Sequence, residues 1–140
     1  VSGGSGIDIK DLDFSNETVN DTQKKIVAVA TNSAKYGISA RSGYCQAWVA
    51  DVYQAVTGSR GSAHCALCAA DMWAVSSDFS KIPVGATVYG YSSSQYGHVG
   101  IYIGNGMVAH NIGEIKIQSL ESWIETYKGF AWGWENANKL

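Results

Sequence analysis

The run His98-Val99-Gly100-Ile101-Tyr102-Ile103 alternates between two faces, and Gly104-Asn105-Gly106 follows it at once. Alternation of period two marks a half-buried β-strand, and an Asn-Gly pair is a turn that folds such a strand back on itself. The segment predicts a β-hairpin whose second strand is Met107 to His110. It constrains register as well: pairing centred on Asn105 sets position 98 opposite position 112. His98 and His110 then become diagonal neighbours on one face, roughly 7 Å apart at Cβ and close enough for two imidazoles to hydrogen-bond. Asn111, a rival partner for His98, points to the opposite face from His110.

The first half of the chain has a different period. Cys45, Trp48, Val49, Val52, Tyr53 and Val56 fall on one face of a helix that Gly58 closes. An earlier helix starts at Asn20 or Asp21, either of which can cap it, carries Ile26, Val27, Ala30 and Ala34, and ends at Tyr36-Gly37. A third is expected from about Ala63 to Ala74. After Lys81 strands dominate: Ala86 to Tyr91, the hairpin, Ile115 to Ile117 and Phe130 to Trp134, with a short helix over Leu120 to Tyr127. Helices first and antiparallel strands second make an α+β domain, with the helix that Cys45 opens packed on a small sheet.

At 140 residues the chain is one domain's worth, and 46% hydrophobic with 16% charged residues is a globular composition. A net charge of −2 argues against a nucleic-acid groove and against a polybasic membrane patch. No apolar stretch is long enough to span a bilayer. Residues 1–20 are acidic and weakly patterned, an arm or linker lying over a domain of residues 21–140. The opening Gly3-Gly4-Ser5-Gly6 suggests one unit, expected to be a monomer, of a longer multidomain protein.

Cys45, His98 and His110 together carry chemistry. A thiol at a helix N-terminus, or beside an imidazolium, has its pKa lowered and becomes a nucleophile. The unpaired N–H groups of the same first turn can donate to a developing oxyanion, a contribution of roughly 3 kcal/mol per donor. With His98 facing the sulfur and His110 holding its far nitrogen, the three make a nucleophile, a base and an orienter, the arrangement of acyl-transfer enzymes. Faster alkylation of Cys45 than of Cys65 or Cys68 is the corresponding expectation.

The stretch from Ile82-Pro83-Val84-Gly85 through His98-Val99-Gly100-Ile101-Tyr102-Ile103-Gly104-Asn105-Gly106-Met107-Val108-Ala109-His110 resembles the NlpC-type cell-wall peptidases, which are papain-like bacterial cysteine peptidases. The resemblance spans roughly Lys24 to Trp134. It implies a papain-like fold, with Cys45 as nucleophile, His98 as base and His110 as orienter, and with Tyr36 in the segment lining the cleft. Tyr44 and Gln46, which flank the sulfur, are the further candidates for substrate contact. Tyr44-Cys45-Gln46-Ala47 departs from the Asp-Cys-Ser-Gly of many relatives, and Pro83-Val84-Gly85-Ala86 from Pro-Gly-Asp. What these changes affect is substrate specificity. Gly43-Tyr44-Cys45-Gln46-Ala47-Trp48 is also similar to the CHAP amidase and peptidase domains. The resemblance implies a secreted or wall-associated peptidoglycan hydrolase, needing no cofactor and no metal, that cleaves the D-γ-glutamyl–diamino acid bond. The CHAP alternative is an N-acetylmuramoyl-L-alanine amidase or cross-bridge peptidase. From other classes come a non-catalytic wall-binding module and an acyltransferase using the same Cys–His pair.

His64-Cys65-Ala66-Leu67-Cys68 invites a zinc reading, but a structural site needs four ligands and the remaining candidates are already assigned. Cys65 and Cys68 are expected as buried thiols on a helix, with a short-loop disulfide as the alternative. Trp132 and Trp134 share a strand face, packed against helices or lining a groove.

Overall fold

The computed structural model describes residues 18–92, 95–137 and 139–140, so the acidic arm expected over residues 1–20 lies almost wholly outside the described residues. Within them the chain is α+β, with four α-helices and a six-stranded antiparallel sheet. No described helix is long and apolar enough to cross a membrane.

Helix α1 runs Asp21–Thr31, and Asn20 caps it in a reciprocal box. The Asn20 side chain accepts from the Gln23 amide at 2.9 Å, and the Gln23 side chain accepts from the Asn20 amide at 2.7 Å. Its buried face is Ile26, Val27, Val29 and Ala30. The apolar spacing predicts a helix unbroken to Tyr36, but α1 stops at Thr31. Asn32 leaves helical geometry, and Ser33–Tyr36 forms a separate 3-10 turn. A tertiary contact accompanies the break: the Trp48 indole donates to the buried Ser33 hydroxyl at 3.2 Å.

Helix α2, Cys45–Thr57, follows the period read from the sequence and buries Trp48, Val49, Val52 and Tyr53. Burying each such side chain contributes roughly 1.5–3 kcal/mol, which fastens the helix along its whole length. Helix α3 is Ala66–Trp73, shorter at its start than expected because Cys65 serves as its cap.

The strands are β1 (Ala74–Ser76), β2 (Thr87–Gly90), β3 (His98–Gly104), β4 (Met107–Asn111), β5 (Ile115–Ser119) and β6 (Gly129–Gly133), with α4 (Leu120–Tyr127) between the last two. Their spatial order is β1-β6-β2-β3-β4-β5. Strand β1 has no counterpart in the sequence reading. It is a three-residue edge strand, two of its residues exposed, with no alternation long enough to detect. At the β3–β4 turn Asn105 and Gly106 both take positive φ, 54° and 68°, the geometry of a two-residue hairpin turn. Ile101 pairs with Ala109 and Tyr102 with Val108, the register anticipated from Asn105.

Candidate active site

Strand β3 opens on His98, and His110 lies on β4 two residues beyond the partner of Tyr102. Gly100, between His98 and Tyr102, leaves the space His110 occupies. A Cβ there would stand 3.1 Å from the His110 Cβ and 2.7 Å from a Val108 methyl. The two rings meet edge to face at 5.1 Å, with His98 Nε2 2.9 Å from His110 Nδ1. The far nitrogen of His110, Nε2, is 3.0 Å from the Gln118 side-chain oxygen.

That last contact gives the line a direction. An amide oxygen only accepts, so His110 Nε2 carries the proton and its Nδ1 is bare. His98 Nε2–H therefore donates to His110, and the lone pair of His98 is left on Nδ1. A base with its lone pair on the nitrogen away from its orienter is the form that can take a proton from a nucleophile.

Aromatic side chains from α4 close over both rings. Tyr127 stacks on His98 at 4.3 Å, Trp123 lies 5.9 Å from it at 27°, and both meet His110 edge-on. In this apolar setting burial disfavours the charged form. It brings His98 down to about 4 and, with the charge of His98 added, His110 down to about 3. Both rings are neutral near pH 7.

Cys45 is the first residue of α2, a half-buried free thiol. The backbone of Val99, the residue after His98, and the first-turn backbone at Gln46 and Cys45 itself favour its thiolate form. These contacts lower its pKa, but burial outweighs them and holds the thiol above its ordinary value. The expectation that helix-terminal placement lowers the thiol pKa is thus corrected: the positive end of α2 acts on Cys45, and desolvation exceeds it. The segment before the helix is fastened to the sheet by Asn111. Its amide donates to the carbonyls of Arg41 at 2.8 Å and Tyr44 at 3.4 Å, on the face away from His110.

A cleft of about 200 Å³ opens beside the sulfur, lined among others by Tyr44, Gln46, His64, Cys65 and Tyr96. Tyr44 is half exposed there, with the Arg41 guanidinium 4.2 Å over its ring. Gln46 lies in the lining but is 4% exposed, and its amide nitrogen donates to both oxygens of the buried Glu135 at 2.9 and 3.1 Å. These bonds tie the C-terminal segment to α2. Tyr36 is not part of this lining; its ring lies under Lys25 on α1, 4.8 Å from the ammonium.

Cys65 and Cys68 are joined as a disulfide on the rim of the same cleft, Cys68 exposed, in place of the buried thiols expected. Bonded to each other, the two sulfurs are not thiolate ligands for zinc. A second pocket, of about 600 Å³, lies away from this chemistry between Trp73, Trp132, Trp134, Met72 and Val75. Trp132 and Trp134 are themselves largely buried, so they both pack and line that pocket.

No protein-family model matches the sequence, and no curated protein matches it.

Gln118, Tyr127, Trp123 and the anchoring role of Asn111 escaped the sequence reading. Gln118 was the most accessible of them. With β4 and β5 paired Val108 to Gln118 and His110 to Lys116, Gln118 is the diagonal neighbour of His110 on the same face. The short spacing between Asn111 and Ile115 signals that pairing.

Proposed function

We propose that this chain is a cysteine hydrolase of papain-like arrangement that cleaves an amide bond in the stem peptides of bacterial peptidoglycan. The observation that carries the chemistry is the directed line from Gln118 through His110 to His98, which leaves Nδ1 of His98 bare on the residue before Val99, whose backbone favours the Cys45 thiolate. In this reading the Cys45 S–H proton passes to His98 Nδ1 as the sulfur attacks the substrate carbonyl. First-turn amides of α2 stabilise the oxyanion. The His98 imidazolium then protonates the departing amine, leaving a thioester on Cys45. Water, activated by the same His98, hydrolyses that thioester and returns the proton to sulfur.

The substrate class rests on the likeness of the Ile82–Gly85 and His98–His110 segments to the NlpC-type peptidases, which favours the D-γ-glutamyl–diamino acid bond. A secreted or wall-associated location agrees with the Cys65–Cys68 disulfide, a bond that persists in oxidising compartments. Digestion of purified peptidoglycan followed by mass spectrometry of the muropeptides tests the reading. Fragments ending in D-glutamate are expected, and none from Cys45→Ala of unchanged fold. Fragments separated at the lactyl–alanine bond would transfer the chain to the CHAP-like amidase reading. Wall binding without new amines would make it a binding module.

A further inference from the structure

We propose that Gln118 is a positioning residue that fixes the protonated nitrogen of both histidines, and that α4 acts through it. The proposal rests on the hydrolase reading for its kinetic consequences but not for its geometry. The Gln118 side-chain amide could present either end to His110. With its oxygen inward, His110 is protonated on Nε2 and His98 on Nε2, and His98 Nδ1 can accept the thiol proton. With its nitrogen inward, every donor reverses: His110 carries its proton on Nδ1, His98 on Nδ1, and that nitrogen has no lone pair to offer a thiol. The amide orientation therefore selects between a competent and an incompetent base.

Two hydroxyls one turn apart on α4 receive the other end of the amide. Gln118 Nε2 donates to Ser122 Oγ at 2.8 Å and to Thr126 Oγ1 at 3.3 Å, while Oε1 turns to His110 at 3.0 Å. Both acceptors are on the helix whose Trp123 and Tyr127 cover the rings, and that helix is capped by Ser119, the residue next to Gln118, through a bond to the Ser122 amide at 3.1 Å. Strand end, helix cap and the partners of the amide thus lie in one short segment. The line His98–His110–Gln118–Ser122/Thr126 is continuous, with a partner at every step.

Nitrogen-15 NMR of histidine-labelled protein at pH 7 reads the tautomer of each ring directly. The native chain is expected to show His98 and His110 both protonated on Nε2. Gln118→Leu, which removes the acceptor, and Gln118→Asn, one methylene too short to span the gap, are expected to give mixed tautomers at both rings. Gln118→Glu keeps an acceptor and should restore Nε2–H. On peptidoglycan, Gln118→Leu should lose at least tenfold in kcat with KM little changed. Gln118→Glu should recover kcat with the acid limb of its pH profile moved upward, because a carboxylate favours the charged rings. Native rings protonated on Nδ1, or unchanged tautomers in the Leu and Asn variants, would overturn the proposal. Tautomers that shift as described in a protein that never releases amines would sustain it and defeat the hydrolase reading instead.

Discussion

Lowering the pH from 7 to 5 should destabilise the fold through His98 and His110 together, by an amount the site itself fixes. In the unfolded chain both rings titrate near 6.5, whereas burial holds them at about 4 and about 3 in the folded protein. Between pH 6.5 and 5 the unfolded state takes up protons that the folded state refuses, so stability falls as pH falls. Integrated from pH 7 to 5, each histidine contributes about 2 kcal/mol of loss, about 4 kcal/mol for the pair. Glu135, whose carboxyl burial pushes up, acts in the opposite sense and must be cancelled. Guanidinium unfolding of the native chain and of His110→Gln at both pH values does so, because Glu135 is common to both. The variant should lose about 2 kcal/mol less than the native chain over this interval. Equal losses would mean that His110 is not held neutral by burial, and the reading of the site as an apolar pair would be wrong.

Three further outcomes follow from the same contacts. Because burial holds Cys45 above its ordinary 9.0, iodoacetamide should modify this single free thiol slowly at pH 7, at a rate still climbing at pH 9; a plateau by neutral pH would show a lowered thiol pKa. Gly100→Ala should lower stability by about 1–3 kcal/mol in a guanidinium titration, since its Cβ meets β4 and His110 at 2.7–3.1 Å, and an unchanged midpoint would contradict that packing. Asn111→Ala releases the Arg41 and Tyr44 carbonyls; it should cost about 1–3 kcal/mol and quicken Cys45 alkylation, whereas unaltered reactivity would remove its anchoring role.

The hairpin was legible because one dipeptide fixes it. Asn105-Gly106 permits a narrow turn, the turn with a register shift after Tyr102 aligns the strands, and that alignment brings His98 to His110 across twelve residues. Helix α2 was legible because its apolar face repeats over twelve residues, Cys45 to Val56, and the helix ends on Gly58. What sequence could not settle were balances between opposed effects. The pKa of Cys45 depends on whether desolvation exceeds the amides of its helix, and that needs the depth of the pocket. The break at Asn32 accompanies a contact from Trp48, sixteen positions away, that no local pattern encodes. Gln46 adjoins Cys45 in the sequence, but its partner Glu135 lies 89 residues on, a contact no local pattern encodes.

Burial of the Cys45–His98 pair has a consequence for how a hydrolase of this kind would work. A thiol held above 9.0 and a ring held at about 4 make a resting thiolate–imidazolium pair uphill by at least about 7 kcal/mol before mutual attraction. Even at near contact, about 4 Å, two unit charges at an effective dielectric of about 20 recover only about 4 kcal/mol, so the resting groups stay neutral. Proton transfer then has to accompany attack on the carbonyl, because only the charge developing on the substrate oxygen, met by the amides at the start of α2, supplies the remainder. Under that constraint the nitrogen that bears the His98 proton matters more than it would for a preformed ion pair. A pre-charged ring is protonated on both nitrogens and has no tautomer to choose, whereas a neutral ring works only when Nδ1 is bare, and the hydrogen bonds running back to Gln118 keep it so.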